Sequence, residues 1–435
     1  MNRNLIFIFE FVSGGGFSRI KIPTSLFCEG FGMLRSIIAD FKALDFEINT
    51  ILDNRIFFLS NFLQADIVRK VNENDDYITI FKEFVNKCHY TFIIAPETSN
   101  ILYNLTKIVK NCNKIVLSTN LNGIKYGTSK IKTYQLFKKK KILSPRTYSI
   151  PHKRAHFDKD FITQKFKRLK SSIVIKPEDG VGAESIYYFE KESQLLNFLN
   201  NINTNLDKNR GYILQEFIDG RNLSISLIGA PHIDENPIIL SVNSQDIDIK
   251  NLTPDYLGGY TPLSNYKGIR QKLSSILKKI NILKIEGYFG IDFIERHNGS
   301  FHFIEINPRL TTSYIGLRNV INLNCAELIF KSRFNILRTP EIILLNHSIF
   351  TRVDFYSDEF ENTEGFYEDY MPKLIKLIPE FVTPPIALDN SNLYSCFIAT
   401  ITKDLNSSKI RINKIFESLK SLNFKVIKPI QKELS

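Results

Sequence analysis

Residues 287–309 read Gly-Tyr-Phe-Gly-Ile-Asp-Phe-Ile-Glu-Arg-His-Asn-Gly-Ser-Phe-His-Phe-Ile-Glu-Ile-Asn-Pro-Arg. Apolar and polar residues alternate on both sides of Asn298-Gly299, the strongest short-range signal for a β-hairpin. A two-residue type I′ turn there pairs His297 with Ser300 and carries the register back to set Asp292 opposite Glu305. Asn307 follows two residues later and projects from the same face. His302 falls on the other face, as a packing residue. Facing carboxylates repel across an antiparallel pair, and a merely solvated face would more naturally set Lys or Arg opposite Glu. Two carboxylates and an amide oxygen instead form a hard-oxygen set for a divalent cation such as Mg²⁺. That ion is held by one or two carboxylates and completed by substrate phosphates.

A chain of 435 residues is too long for one ordinary core and predicts two or three domains. Its net charge of +12 raises the question of nucleic acid. However, the lysines run alongside abundant Asn and Ile, which reads as coding bias, and the one dense basic block is Lys138–Lys141. With no arginine-rich arm and no zinc-finger spacing, nucleic acid is not an expected partner. Cys28, Cys88, Cys112, Cys325 and Cys396 are scattered and never form a C-x-x-C pair, which suits a reducing cytosol rather than a disulfide or zinc framework. The apolar run at 5–9 is too short for a membrane span and lacks a signal-peptide cleavage region. A cytoplasmic location and no membrane partner are therefore expected.

Residues 5–12 read as a buried strand leading into Ser13-Gly14-Gly15-Gly16. A helix pattern follows, with Met33, Leu34, Ile37, Ile38 and Phe41 on one stripe. Strand candidates at 48–52, 91–95 and 115–118 alternate with helical segments, the pattern of a parallel sheet. The glycine loop lacks the G-x-G-x-x-G spacing of dinucleotide sites. It is expected to bring backbone N–H groups, around Ser13 and Gly14, to a substrate at the sheet's carboxyl edge. Glu10 is open to two readings, as a partner for a substrate ammonium group or as an acid facing a helix. From about 125, Ser172–Lys176, Ile186–Phe189, Tyr212–Ile218 and Ser224–Ile228 look like antiparallel strands. Beyond 340 the pattern gives a looped stretch at 357–368, strands at 394–401 and 422–428, and a helix near 407–420.

Between 126 and 309 the chain also carries a series of phosphate-handling parts. Lys130 heads a helix. Lys176 ends a strand and precedes a loop containing Gly180, Gly182 and Ser185. Two lysines and a run of backbone N–H groups neutralise a triphosphate. Gln215-Glu216-Phe217-Ile218 closes an apolar strand suited to adenine and its amino group. Arg309 stands close enough to the carboxylates to meet a charged intermediate.

In their order, Ile-Lys-Pro, Gln-Glu-Phe-Ile and Glu-Ile-Asn-Pro-Arg resemble the ATP-grasp superfamily of carboxylate–amine ligases. The resemblance implies an α/β and α+β chain. A Rossmann-like domain would span 1–120, the central and lid parts of the grasp 121–335, and a small C-terminal extension 336–435. It also implies roles: Lys130, Lys176 and the 180–185 loop for phosphates; Gln215, Glu216, Phe217 and Ile218 for adenine; Asp292, Glu305 and Asn307 for Mg²⁺ or Mn²⁺; and Arg309 with Lys176 for the chemical step. Asn222 stands where an acid often binds ribose. The segments 9–15, with Glu10, Ser13 and Gly14, 26–34, and 257–262, with Gly258 and Gly259, are similar to the tyramine– or tyrosine–glutamate ligases of methanofuran-type cofactor synthesis. Small carboxylate and amine substrates are thus expected, and a homodimer is compatible with the fold. Another amino-acid or peptide ligase, and a non-catalytic ATP-binding protein, are the alternatives.

Overall fold

The computed structural model describes residues 4–153, 156–180, 185–232, 236–250, 253–263, 266–280, 284–334, 336, 338, 340–357, 368–388 and 393–427. The looped stretch expected at 357–368 lies, except for its ends, outside these residues, as does Gly182.

Leu5–Glu10 (β1), Glu47–Asp53 (β2), Ile67–Val71 (β3), Tyr90–Ile94 (β4) and Ile115–Val116 (β5) form a parallel sheet in the order β3-β2-β1-β4-β5. All its pairings are parallel. The chain runs outward from β1 to β3, then returns to pair β4 with the other side of β1. A crevice opens at the carboxyl ends of strands where the order reverses in this way, here between Glu10 and Ile94. Strand β3 lacked a sequence signal because it is an edge strand with only Val71 buried. Helix α1 (Thr24–Lys42) buries Phe27, Phe31, Leu34, Ile37, Ile38 and Phe41, a stripe at helical spacing.

Next come β6 (Thr147–Ser149), the short hairpin β7–β8 (His152–Lys153, His156–Phe157), β9 (Ile173–Pro177), β10 (Tyr187–Phe189) and β11 (Tyr212–Glu216). Strands β10-β9-β11-β6 make an antiparallel sheet over a small core of its own that includes Ile162, Ile175, Phe189 and Leu214. Strand β12 (Arg221–Gly229) opens a second antiparallel sheet. It is joined by β13 (Ile238–Ser244) on one side and, after β14 (Asp246–Lys250) and β15 (Thr253–Thr261), by the hairpin β16–β17 (Gly287–Glu295, Phe301–Asn307) on the other.

The last hundred residues are not an appendage. Strand β15 pairs with β18 (Ser348–Tyr356), which continues the sheet to β19 (Phe381–Ile386), β20 (Leu393–Ala399) and β21 (Lys425–Ile427). Arg35 of α1 donates through Nη1 to the carbonyls of Phe381 and Val382 at 2.8 and 3.0 Å. One hydrophobic core runs from the parallel sheet through β12–β17 into this final section. A second, smaller core lies under the β10-β9-β11-β6 sheet.

Candidate active site

Asp292 faces Glu305 across the hairpin, as the sequence predicts. The turn that puts it there is different. Of Asn298 and Gly299 only the glycine has positive φ, at 75°, whereas a type I′ turn needs both. Asn298 instead accepts from Ser300 N and Oγ at 3.0 and 2.7 Å. Gly299 N donates to Arg296 O, so a three-residue loop pairs Arg296 with Ser300. That shifts the register by one, and Glu295 faces Phe301. A bulge at Ile304 shifts it back before Glu305. Because of that bulge His302, opposite the cleft-lining Ile294, belongs to the Glu305 face and not to the packing face.

Asn307 Nδ2 donates to Asp292 Oδ2 at 2.9 Å, and Gln245 Nε2 donates to Oδ1 at 3.0 Å. Lys130 Nζ lies 2.9 Å from Glu305 Oε2 and donates to Gly180 O. Burial, reinforced by the neighbouring Glu305, pushes the Asp292 carboxyl well above the usual range. Burial also works to raise Glu305, but the Lys130 and Lys176 ammonium groups outweigh it and hold that carboxylate low. Lys176 itself is buried and pushed down to about 8 by burial, against the pull of Glu305. Arg309 pairs through Nε with Glu97 Oε1 at 3.1 Å.

Lys176, Gln245, Asp292, Glu305, Asn307 and Arg309 open into a cleft of about 540 Å³ with two apolar arms, whereas Lys130 and Glu97 stand behind its lining. One arm lies between the two antiparallel sheets and is lined by Val174, Ile186, Phe217, Ile218 and Ile294; Gln215 and Asn222 stand at its edge. The other reaches the carboxyl edge of the parallel sheet, where Phe11, Phe17, Leu26, Met33 and Ile101 wall it. Lys176, Asp292, Glu305, Asn307 and Arg309 lie in the same cleft.

A model described as an ATP-grasp domain matches residues 128–313, and one described as a pre ATP-grasp 3 domain matches 46–124. The chain belongs to the ATP-grasp superfamily. It is 29% identical, over 76% of its own length and 90% of the relative's, to the tyramine–L-glutamate ligase of Methanocaldococcus jannaschii. Among solved structures, an ATP-grasp superfamily protein of Archaeoglobus fulgidus aligns with a TM-score of 0.58 at 22% identity, over 83% of this chain and 95% of that one. The biotin carboxylase domain of Hydrogenobacter thermophilus 2-oxoglutarate carboxylase, bound to MgADP and bicarbonate, aligns at 0.69 with 12% identity over 97% and 90% of the two chains.

Membership in the ATP-grasp superfamily brings ATP and Mg²⁺ with it, and the residues present fit the ion. Glu305 Oε2 is buried with only the Lys130 ammonium beside it, 2.9 Å away, and its carboxylate faces that of Asp292, which it would otherwise repel. Among the described residues no three His, Cys, Asp or Glu side chains converge. The chain thus offers two carboxylates and an amide, with phosphate and water left to complete the shell.

Several expectations for this ATP-grasp site need correction. The Glu216 carboxylate is gripped by Arg146, which donates to its two oxygens at 2.8 and 2.9 Å; it lines the cleft but is not an open acceptor. The glycine loop aims its N–H groups inward. Gly14 N donates to Glu10 O, Gly16 N to Phe11 O, and Ser13 N to Glu10 Oε2. Glu10 Oε1 accepts from Val12 N, so this buried carboxylate caps its own loop, and Ser13 and Gly14 do not line the cleft. Gly258 and Gly259 are sheet glycines: a Cβ would lie 2.1 Å from Phe350 O at the first and 2.1 Å from Ser244 O at the second. Ser185 also lies outside the lining. Sequence reasoning gave no role to Glu29, Glu97, Gln245 or Tyr256. Each is distant in sequence from the carboxylate pair, and no local pattern reports such meetings.

Proposed function

We propose that this ATP-dependent carboxylate–amine ligase joins the γ-carboxylate of glutamate to an aromatic amine, tyramine or tyrosine, as a step of methanofuran-type cofactor assembly. The observation that carries the reading is the Asp292–Glu305–Asn307 set, flanked by Lys130, Lys176 and Arg309, at the junction of two apolar arms. One arm suits adenine and the other an aromatic ring. The similarity to tyramine–L-glutamate ligases supports the choice of substrates.

A carboxylate and an amine do not condense in water because hydroxide is a poor leaving group. In the proposed sequence the glutamate carboxylate attacks the γ-phosphorus of ATP, the bond to ADP breaks, and an acyl phosphate forms. The amine nitrogen then attacks the acyl carbon and inorganic phosphate departs. Asp292, Glu305 and the Asn307 carbonyl would hold Mg²⁺, whose charge, when bound, offsets that of the phosphates. Lys130 and Lys176 neutralise phosphoryl oxygens, and Arg309 meets the charge on the acyl phosphate and the tetrahedral species. Such preorganised charge is the largest contribution in reactions of this kind. The apolar walls exclude water that would hydrolyse the intermediate.

Mass spectrometry of the purified protein with MgATP, glutamate and either amine tests the reading. ADP appearing together with a γ-glutamyl-aromatic amide supports it. ADP formed only with a different amine keeps the ligase chemistry and removes the aromatic substrate. Absence of substrate-dependent ADP, with ATP still bound, leaves a nucleotide-binding protein.

A further inference from the structure

Helix α1 turns one face to the cleft, and on it Leu26, Glu29, Gly30 and Met33 follow at helical spacing. A carboxylate in the middle of an apolar stripe is expensive unless something compensates it. Glu29 Oε2 accepts from Thr312 Oγ1 at 2.8 Å, on the loop that begins at Arg309. Among the described residues no cation forms an ion pair with Glu29. The two arginines within electrostatic reach already have acids of their own. Arg309 pairs with Glu97 at 3.1 Å, and Arg352 of β18 pairs with Asp255 at 2.5 Å and Asp354 at 3.2 Å. Glu10, the other acid in this arm, has both oxygens taken by backbone N–H groups.

We propose that Glu29 recognises the ammonium group of the amine substrate, with the apolar wall beside it receiving that substrate's aromatic ring. This rests on the ligase function proposed above and assigns its specificity to a named residue. A bound ammonium supplies the cation and the donors that Glu29 lacks. The Thr312 hydrogen bond fixes the Glu29 carboxylate on the Arg309 side of the cleft, near the acyl phosphate that Arg309 would stabilise; there the ammonium passes one proton to the Glu29 carboxylate, and the free amine attacks the acyl carbon as phosphate departs.

The test compares tyramine with its neutral isostere, 4-hydroxyphenethyl alcohol, by calorimetry on the full chain and on Glu29→Gln with MgADP present. The wild type should prefer the amine by at least about 10-fold, the size of one charge-assisted contact, and Glu29→Gln should erase that preference. In steady state KM for the amine should rise about 10- to 100-fold, while KM for ATP and for glutamate stay within about twofold. A retained preference, a rise in KM for glutamate instead, or no binding of aromatic amine by the wild type overturns the assignment. If Glu29→Gln does not fold, Thr312→Val keeps the charge, loses its orientation, and should weaken amine binding alone. Glutamate-dependent ADP release with hydroxylamine as nucleophile reads the ligase chemistry separately, so loss of that chemistry is distinguished from loss of the amine subsite.

Discussion

Arg309 and Glu97 form an ion pair with Nε 3.1 Å from Oε1, joining the end of the β16–β17 hairpin to the carboxyl edge of the parallel sheet. The pair fixes where a buried guanidinium points, since burial alone would penalise its charge and Glu97, with Glu29 and Glu305, more than offsets that. Glu97→Gln should therefore leave nucleotide binding near normal and lower kcat by about 10- to 100-fold, the worth of one charge-assisted hydrogen bond. ADP release under saturating substrates measures it. An unchanged kcat would mean that Arg309 keeps its aim without this partner.

Asp292 and Glu305 should separate stability from activity. Asp292→Asn removes a carboxyl that burial already pushes toward neutrality, so the metal-free protein should be unchanged or up to about 1 kcal/mol more stable. Glu305→Gln instead takes the counter-charge from Lys130 and should cost about 1–3 kcal/mol. Both variants should lose roughly 10²–10³ in turnover. Urea melts without Mg²⁺, beside ADP assays, give the two readouts. Equal destabilisation by both variants would contradict the charge arrangement.

Much of this site was legible because it is local. Asp292 and Glu305 share a hairpin, and the predicted pairing holds although its assumed turn does not. The three-residue loop displaces the register, and the bulge at Ile304 restores it. The spacing of Phe301, Phe303 and Ile306, all buried, carries that bulge, since strict alternation would bury residue 305. The parallel strands of residues 5–116 were legible from apolar runs except the exposed edge strand β3. What could not be read is what long-range packing decides. Glu10 turns back on Val12 and Ser13, Arg146 claims Glu216, and β18 pairs with β15 across almost a hundred residues.

Lys176 predicts opposite pH trends for activity and stability. Its ammonium is pushed down to about 8 from 10.5 by burial. A phosphate-neutralising role needs the protonated form, so kcat/KM for ATP should fall as pH rises through about 8. In the unfolded chain the group keeps its proton up to 10.5, so between about 8 and 10.5 the unfolded state binds more protons. Stability should then rise with pH across that window. Lys176→Met should remove both slopes. Activity and stability falling together in the wild type would point to alkaline unfolding instead.

Gly258 tests whether the last section is joined to the grasp through a tightly packed strand pair. Its φ is +129°, and a Cβ there would lie 2.1 Å from Phe350 O and 2.7 Å from Thr351 Cα. Both are backbone atoms of β18, so relief requires moving a strand rather than a side chain. Gly258→Ala should combine conformational strain with overpacking and cost about 2–5 kcal/mol. Tyr256, two residues away on β15, lines the cleft, so the damage should also reach the site through the strand. Denaturant melts give the stability loss, and KM for the amine gives the local effect. A variant as stable as the wild type that had lost only substrate affinity would return Gly258 to a direct substrate role.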